Sequence, residues 1–482
     1  MYNYRFIAKT VGILLVILSL FIGATTLVSL EISRNDTNSF LMSGLICLFL
    51  GLSLWLTTYR KASTKLEKRD AYLLVLISWV VISIFGSLPY LFYTNFSSIP
   101  NAIFESISGF TTTGISTFNN VEALPKGLLF WRAQTQWIGG MGSILFAFIV
   151  LPFLNIGGME LFATDGHGIS FLKLSPKLNQ TAFRLILIYC LLTIAATLLL
   201  WLAGMEFFDA VCHAMSTVST GGFSTKNNNI AHFNNPTIDL VLMVFMFLSG
   251  INYSLIYMTI VFNFKPILKN EELFYFLGFV LFLSILLFSI LLATSVDVFH
   301  SLRYSVFTTL SILTTTGFLN SETTIWPSYA LNFFFLMLFL GSSTGSTTGG
   351  IKIFRLVAIV KNIYYEMKRS LHPRAVIPLR INKKNISEEI VGEVILFVLL
   401  YLLLFAIGSI VLVFDGIDFE TAIGASLTAL SNVGPSVGRV INPAGYASFP
   451  VFSKWMLSVL MLAGRLEIFT LFIVFTPQFR RV

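Results

Sequence analysis

The chain has 482 residues, of which 56% are hydrophobic, 48 are Phe and only 11% are charged, and its mean hydropathy is +0.83. Such a composition excludes an ordinary soluble domain and points to a polytopic membrane protein. The formal net charge of +8 would suit nucleic acid, but the basic residues fall in loops between apolar runs, where they mark topology instead.

Runs long enough to span a bilayer, ~20 residues each, lie near 7–30, 39–58, 71–93, 127–153, 182–205, 237–263, 273–294, 327–340 with a continuation, 388–414 and 451–476. The first is too long for a signal peptide's apolar region and lacks a cleavage site, so it is expected to be a retained helix. Alternate loops are basic. Arg60, Lys61, Lys65, Lys68 and Arg69 follow the second run; Lys173, Lys177 and Arg184 follow the fourth; Lys265 and Lys269 follow the sixth. Lys352, Arg355, Lys361, Lys368, Arg369, Arg374, Arg380, Lys383 and Lys384 follow the eighth, and Arg480 and Arg481 end the chain. The positive-inside rule then predicts both termini in the cytoplasm. Cys47, Cys190 and Cys212 lie in or beside apolar sequence without metal-ligand spacing, as small core residues do.

Four short polar stretches interrupt this pattern: Thr111-Thr112-Thr113-Gly114, Ser219-Thr220-Gly221-Gly222, Thr314-Thr315-Thr316-Gly317 and Ser431-Asn432-Val433-Gly434. Their final glycines are 108, 95 and 117 residues apart, which suits one module of about a hundred residues used four times. Each stretch follows a short half-apolar segment (103–110, 208–218, 302–313, 419–430) and precedes a polar loop. The predicted unit is therefore helix, re-entrant hairpin, helix, entering from outside. The predicted fold is an all-α polytopic membrane protein: four parallel helix–pore-loop–helix repeats with pseudo-fourfold symmetry, plus two extra N-terminal helices. Its parts are the extra helices over 1–60, repeat 1 over 70–155, repeat 2 over 178–264, and repeat 3, with a broken second helix, over 272–362. A basic cytoplasmic loop over 363–386 and repeat 4 over 387–482 complete it.

Irregular backbone survives at membrane depth only where protein buries it or water reaches it. Glycine turns at little cost where φ is positive, and rings of carbonyls with Thr hydroxyls below replace the hydration shell of a monovalent cation. Helices descending to the pore aim their partly negative C-terminal ends at it. A second constellation is Gly341-Ser342-Ser343-Thr344-Gly345-Ser346-Thr347-Thr348-Gly349-Gly350. The 14 apolar residues 327–340 before it make a helix of only about 21 Å, ending near mid-membrane, so the run must line the cavity below the filter. It contains a G-x-S-x-G without a preceding strand, a near P-loop with Ile351 before Lys352, and glycines that also fit close helix packing. Arg465, near the centre of the last span, needs a water-filled cavity or a partner. Glu467 is two residues away and off its helix face. Carbonyl bonding where repeats meet and a position against the 341–350 loop are both compatible with it.

At this point the sequence resembles the TrkH proteins of the Trk/Ktr/HKT superfamily of potassium transporters, over essentially the whole chain. The resemblance is carried by Gln136-Trp-Ile-Gly-Gly-Met-Gly142, Gly222-Phe-Ser-Thr225, the run from Gly341 to Lys352, Leu371-His-Pro-Arg-Ala-Val376 and Gly464-Arg-Leu-Glu-Ile-Phe-Thr470. It implies potassium-selective uptake, with rubidium also passing, across a bacterial cytoplasmic membrane. It implies a homodimer with one pore per subunit and a TrkA-like cytoplasmic ring that binds NAD and adenine nucleotides, with no cofactor on this chain. It also implies that 341–350 is an intramembrane gate against which Arg465 raises the barrier to cations. Potassium is expected at Thr111, Thr112, Thr220, Gly221, Thr315, Thr316, Asn432 and Val433. A serine at the first filter glycine accompanies sodium preference in this superfamily, and Gly114, Gly222, Gly317 and Gly434 are all present. The fourth copy departs most, with Asn432-Val433 and Pro435.

The rival reading is an obligatory proton- or sodium-coupled symporter with alternating access, against which parallel hairpins entering from one side argue. An enzyme is disfavoured, since no HExxH pair or credible triad appears. His167, His213, His232, His300 and His372 are scattered; His213 falls on the second pore segment, for packing or pH sensing. Arg303 on the third stands near a position where some relatives carry an acid. Lys352, Arg355 and the 361–384 cluster are candidates to hold the partner or anionic lipid, beside plain positive-inside charge.

Overall fold

A computed structural model describes residues 3–58, 68–147, 178–294, 297–321, 326–372, 374, 377–382, 384–438 and 443–480. Arg60, Lys61, Lys65, Lys173, Lys177, Lys383, Arg481, His167, three residues of the 371–376 string and the expected end of the fourth span lie outside the described residues. Among the described residues six helices are long and apolar enough to cross a membrane: Tyr4–Ile32, Thr37–Thr58, Arg69–Tyr93, Gln180–Leu202, Glu271–Leu292 and Glu388–Phe414. Two bent pairs raise the total to eight. Lys126–Leu145 and the short Ser328–Met337 fill the two remaining predicted spans. The chain is a multi-pass, predominantly helical membrane protein whose apolar side chains, such as Phe49, Leu202, Ile285 and Phe414, stand exposed on the outside.

The first two helices pack against each other and against the first repeat. They cross where Gly12 and Gly51 meet: a Cβ on either would stand 2.9 Å from the other's carbonyl oxygen. Asp36, in the turn between them, accepts from Ser29 Oγ at 2.5 Å and from the Leu128 amide at 2.9 Å. This fixes the start of the outgoing helix of repeat 1.

Each repeat then sends a short helix toward the centre: Ile99–Phe110, Phe207–Val218, Val298–Leu313 and Phe419–Ser431. Local chemistry sets their starts. Pro100 lies in the first turn of the first, while Asp297 and Asp418 cap the third and fourth through the amides of Phe299 and Thr421. Their inner halves are buried even where polar, as at Glu105, Ser106 and Ser108.

The expected continuous spans 237–263 and 451–476 are broken instead. Pro236–Gly250 turns by 107° into Tyr253–Ile260, and Val451–Arg465 by 108° into Ile468–Phe475. A break inside a membrane leaves backbone groups that need partners. The 341–350 run supplies them at the first break: the Ser343 amide donates to the Gly250 carbonyl, and the Tyr253 amide to Gly345, both at 3.2 Å. Asn252 accepts from the Ser254 amide at 2.9 Å and so starts the next helix. In repeat 3 the break is the run itself, between Ser328–Met337 and the amphipathic Ile353–Leu371. A two-stranded hairpin, Leu379–Ile381 with Lys384–Ile386 in antiparallel register Leu379 to Ile386, leads to repeat 4.

Candidate functional site

The four polar stretches adopt one backbone conformation. Their second residues, Thr112, Thr220, Thr315 and Asn432, have φ of +54°, +54°, +51° and +56°. Their final glycines, Gly114, Gly222, Gly317 and Gly434, have φ of +83°, +78°, +77° and +106°. A left-handed residue with a side chain costs roughly 1–2 kcal/mol, so its recurrence needs support. The support is a helix cap: the amides of Thr113, Gly221, Thr316 and Val433 reach back to the carbonyls of Ser108, Ser216, Ser311 and Thr428 at 2.8–3.2 Å. In three repeats a hydroxyl also ties the short helix to the chain beyond the turn. Ser108 donates to Ile115 O at 2.6 Å, Ser311 to Phe318 O at 2.7 Å and Thr428 to Pro435 O at 3.1 Å.

The turns meet in a closed circuit. A Cβ added at Gly114 would overlap the Gly221 carbonyl oxygen; at Gly222, that of Thr316; at Gly317, that of Val433. At Gly434 it would come to 3.0 Å from the Thr113 oxygen, returning the circuit to the first repeat. Each glycine thus admits the third-residue carbonyl of the next repeat, and the step from fourth to first is the loosest. Asn432 spans that step, donating to Thr113 Oγ1 at 2.9 Å and to Met461 O at 3.0 Å. All sixteen residues of the four turns are buried.

Buried charge braces the outer side. Arg132 donates to Glu105 at 2.8 Å and to Ser224 O at 3.2 Å, its guanidinium 4.1 Å from the Phe223 ring centre. Glu105 also accepts from Ser116 Oγ at 3.0 Å and the Thr117 amide at 2.9 Å. His213 takes the equivalent place in repeat 2, with Nδ1 2.8 Å from Asp209 O and Nε2 2.9 Å from Ser224 Oγ. Lys226 pairs with Asp209 at 3.1 Å. Arg303 pairs with Asp239 on the outgoing helix of repeat 2 at 2.8 Å, and Asn320 donates to the same oxygen at 2.6 Å. An outer cavity of about 50 Å³ reaches Gly114 and Gly222 and is lined by Arg132 and Lys226, both of which face carboxylates.

The 341–350 run lies on the other side of the turns. Thr220 Oγ1 donates to Thr347 Oγ1 at 3.1 Å, and the Gly349 amide to Thr315 Oγ1 at 2.9 Å. A Cβ on Gly349 would overlap the Ser431 carbonyl oxygen. The run therefore touches the turns of repeats 2, 3 and 4. Thr112 Oγ1, on the turn of repeat 1, is buried and has no hydrogen-bond partner among the described residues. The ends of the run are closed by Gly341 N to Ile351 O at 2.8 Å and Ile351 N to Phe339 O at 3.1 Å, and Gly345 and Gly350 turn it at φ of +76° and +66°.

Arg465 donates to Thr347 O, in the 341–350 run, at 2.7 Å and to Gly139 O of repeat 1 at 3.3 Å. Glu467 pairs not with Arg465 but with Arg355, at 2.5 Å. This corrects one expectation: Lys352 and Arg355 are not surface charge. Both are buried, Lys352 on Thr348 and Arg355 on Glu467 and over the Phe397 ring, so neither is available to a partner. Glu272 was missed in the sequence. It reads there as helix-start acidity, yet it accepts from the Thr344 amide at 2.6 Å and Thr344 Oγ1 at 2.9 Å. Gln136 likewise carries no local signal of its role, its partners Gly221 O and the Phe223 amide lying in the next repeat. A cavity of about 40 Å³ opens between Ser346, Gly349, Lys352, Arg465 and Glu467.

Comparison with known proteins agrees with this architecture. Residues 36–303 and 293–480 match the model of the TrkH family, described as cation transport protein. The Trk system potassium uptake protein TrkH of Salmonella typhimurium is 34% identical over 99% of this chain and 100% of its own length. That of Halomonas elongata is 35% identical over the same shares, and TrkG of Escherichia coli is 32% identical over 99% of both chains. The crystal structure of the potassium transporter TrkH from Vibrio parahaemolyticus superposes with a TM-score of 0.92, at 34% identity, covering 99% of this chain and 100% of that one.

Proposed function

Because the chain belongs to the TrkH family of cation transport proteins, we propose that it takes up potassium across a bacterial cytoplasmic membrane, through the axis its four glycine turns enclose. The closed circuit carries this reading. Four turns share one unusual backbone conformation, and every glycine is in contact with the carbonyl of the next. The pore helices end at these turns, so the negative ends of four helix dipoles converge where a cation sheds its water. Thr112 Oγ1, buried and unbonded, is one more oxygen at that place. No carboxylate ring is needed. Neutral oxygens bind a large monovalent ion firmly enough to select it and weakly enough to release it.

The 341–350 run closes the path below. Its hydrogen bonds to Thr220 and Thr315, and the Arg465 bond to Thr347 O, hold it under the turns. Opening requires these bonds to break while the backbone bridge of Leu340 and Gly341 with Ile351 acts as the hinge. The helix Ile353–Leu371 continues from the run and carries exposed Lys368 near its far end. A TrkA-like, NAD-binding cytoplasmic subunit that grips this end moves the run directly. The chain acts as a homodimer with one pore per subunit and both termini in the cytoplasm.

The test is uptake of rubidium into proteoliposomes under a potassium gradient without a proton gradient. Passive uptake that potassium blocks better than sodium supports the proposal. An obligatory proton or sodium requirement supports the coupled symporter in its place.

A further inference from the structure

Three of the turns carry a side chain at their third position: Thr113, Thr316 and Val433. The second carries Gly221. Its φ is not positive, unlike that of Gly222 beside it, so backbone conformation does not call for glycine there. Space does. A Cβ on Gly221 would lie 2.5 Å from Oε1 and 2.7 Å from Nε2 of Gln136, a fully buried side chain from the outgoing helix of repeat 1.

The carboxamide brackets this turn from behind. Gln136 Nε2 donates to the Gly221 carbonyl at 2.6 Å, and Oε1 accepts from the Phe223 amide at 3.0 Å. The Phe223 amide can only donate, so the orientation of the carboxamide is fixed. In the first and third turns the third residue bonds within the turn itself, Thr113 Oγ1 lying 2.7 Å from Thr111 Oγ1 and Thr316 Oγ1 2.8 Å from Thr314 Oγ1, while Val433 in the fourth has no hydroxyl.

Two other outgoing helices carry methionine at the place of Gln136. Gly140 packs on Ser219, the first residue of the second turn, as Gly250 packs on Thr314, the first residue of the third. Four residues earlier on the same helices stand Gln136 and Met246, and the fourth repeat has Met461 four residues before Arg465. Both methionines are fully buried. Methionine goes with a threonine at the third position of the next turn (Thr316 after Met246, Thr113 after Met461), and glutamine goes with a glycine.

We infer that Gln136 is a specificity-determining residue: its carboxamide takes the place of the missing side chain of the second filter turn and fixes the Gly221 carbonyl in its position against Gly114, on which the shape of the circuit depends. The inference rests on the filter reading given above. It predicts that glutamine and glycine are exchangeable for methionine and threonine only as a pair.

The experiment uses the full-length protein in proteoliposomes and measures rubidium uptake with potassium or sodium as competitor, for Gln136→Met, Gly221→Thr and the double variant. Gln136→Met is expected to lower the potassium-over-sodium preference by about fivefold or more, as loss of a buried hydrogen-bonding group does. Gly221→Thr, clashing with the carboxamide, lowers it as well. The double variant recovers part or all of the preference, since the shorter, flexible methionine yields the carboxamide's place to the threonine side chain. An unchanged preference in Gln136→Met, or a double variant no better than Gln136→Met, overturns the inference. Gln136→Leu keeps most of the volume but loses the Nε2 donor, and it decides the matter if methionine does not fold. Reduced preference supports the role and parental preference refutes it. A parent without potassium preference would instead overturn the filter reading, so the two failures are distinguishable.

Discussion

Alanine at each filter glycine in turn should give a graded loss. All four glycines have positive φ, Gly434 the largest at +106°, so every substitution carries backbone strain, of ~1–2 kcal/mol, which is about 5- to 30-fold in an equilibrium. The second cost differs. At Gly317 the new Cβ falls on the Val433 carbonyl oxygen and 2.7 Å from Pro435 Cδ; at Gly222 and Gly114 it falls on the oxygens of Thr316 and Gly221. Those carbonyls must retreat on the order of 1 Å to regain van der Waals separation, and each is a wall of the circuit. At Gly434 the Cβ meets Thr113 O at 3.0 Å, which a shift of a few tenths of an ångström relieves. The assay is rubidium uptake competed by potassium or sodium, with elution profile as the folding control. Gly434→Ala should stay within about 30-fold of the parent preference, the ceiling of strain alone. Gly317→Ala, Gly222→Ala and Gly114→Ala should fall below it. Equal damage at Gly434 and Gly317, or a parental preference in Gly317→Ala, refutes the circuit.

Arg465→Ala removes a buried cation held on Thr347 O; repulsion between like charges at an effective dielectric constant of about 20 is roughly 1–2 kcal/mol over one to two nanometres, so flux should rise by up to about 30-fold. Unchanged flux in folded protein argues against its role as a barrier. Glu272→Ala frees the Thr344 amide and hydroxyl, which should raise basal flux without changing potassium preference; unaltered flux means that this anchor does not hold the gate shut. Glu105→Ala leaves Arg132 buried and unpaired, costing about 3–5 kcal/mol, whereas Lys126→Ala breaks an exposed pair with Glu206 that contributes little. A clear drop in thermal midpoint for the first and none for the second is expected, and similar midpoints for both would contradict the bracing role.

The four turns were legible in the sequence because Thr-Thr-Thr-Gly and its relatives are out of place between apolar runs. Their shared left-handed second residue was not, since Thr112, Thr220 and Thr315 carry the side chains that normally forbid it. The broken helix of repeat 3 was legible from ten consecutive small or polar residues. The breaks after Gly250 and Arg465 were hidden, because apolar sequence continues through Ile251 and Leu466 and the cause lies in other segments. Long-range pairing was equally invisible. Arg303 meets Asp239 and Arg355 meets Glu467 from different repeats, and nothing local announces either. Gln136 and Glu272 act on turns far along the chain, so their partners emerge only once the repeats close on one another.

The most direct measurement of the central claim is the position of rubidium in this protein, read from its anomalous scattering. The account predicts density on the axis enclosed by the four turns, at the level of Thr112, Thr220, Thr315 and Asn432. Rubidium bound away from that axis, with none inside the circuit, would contradict it.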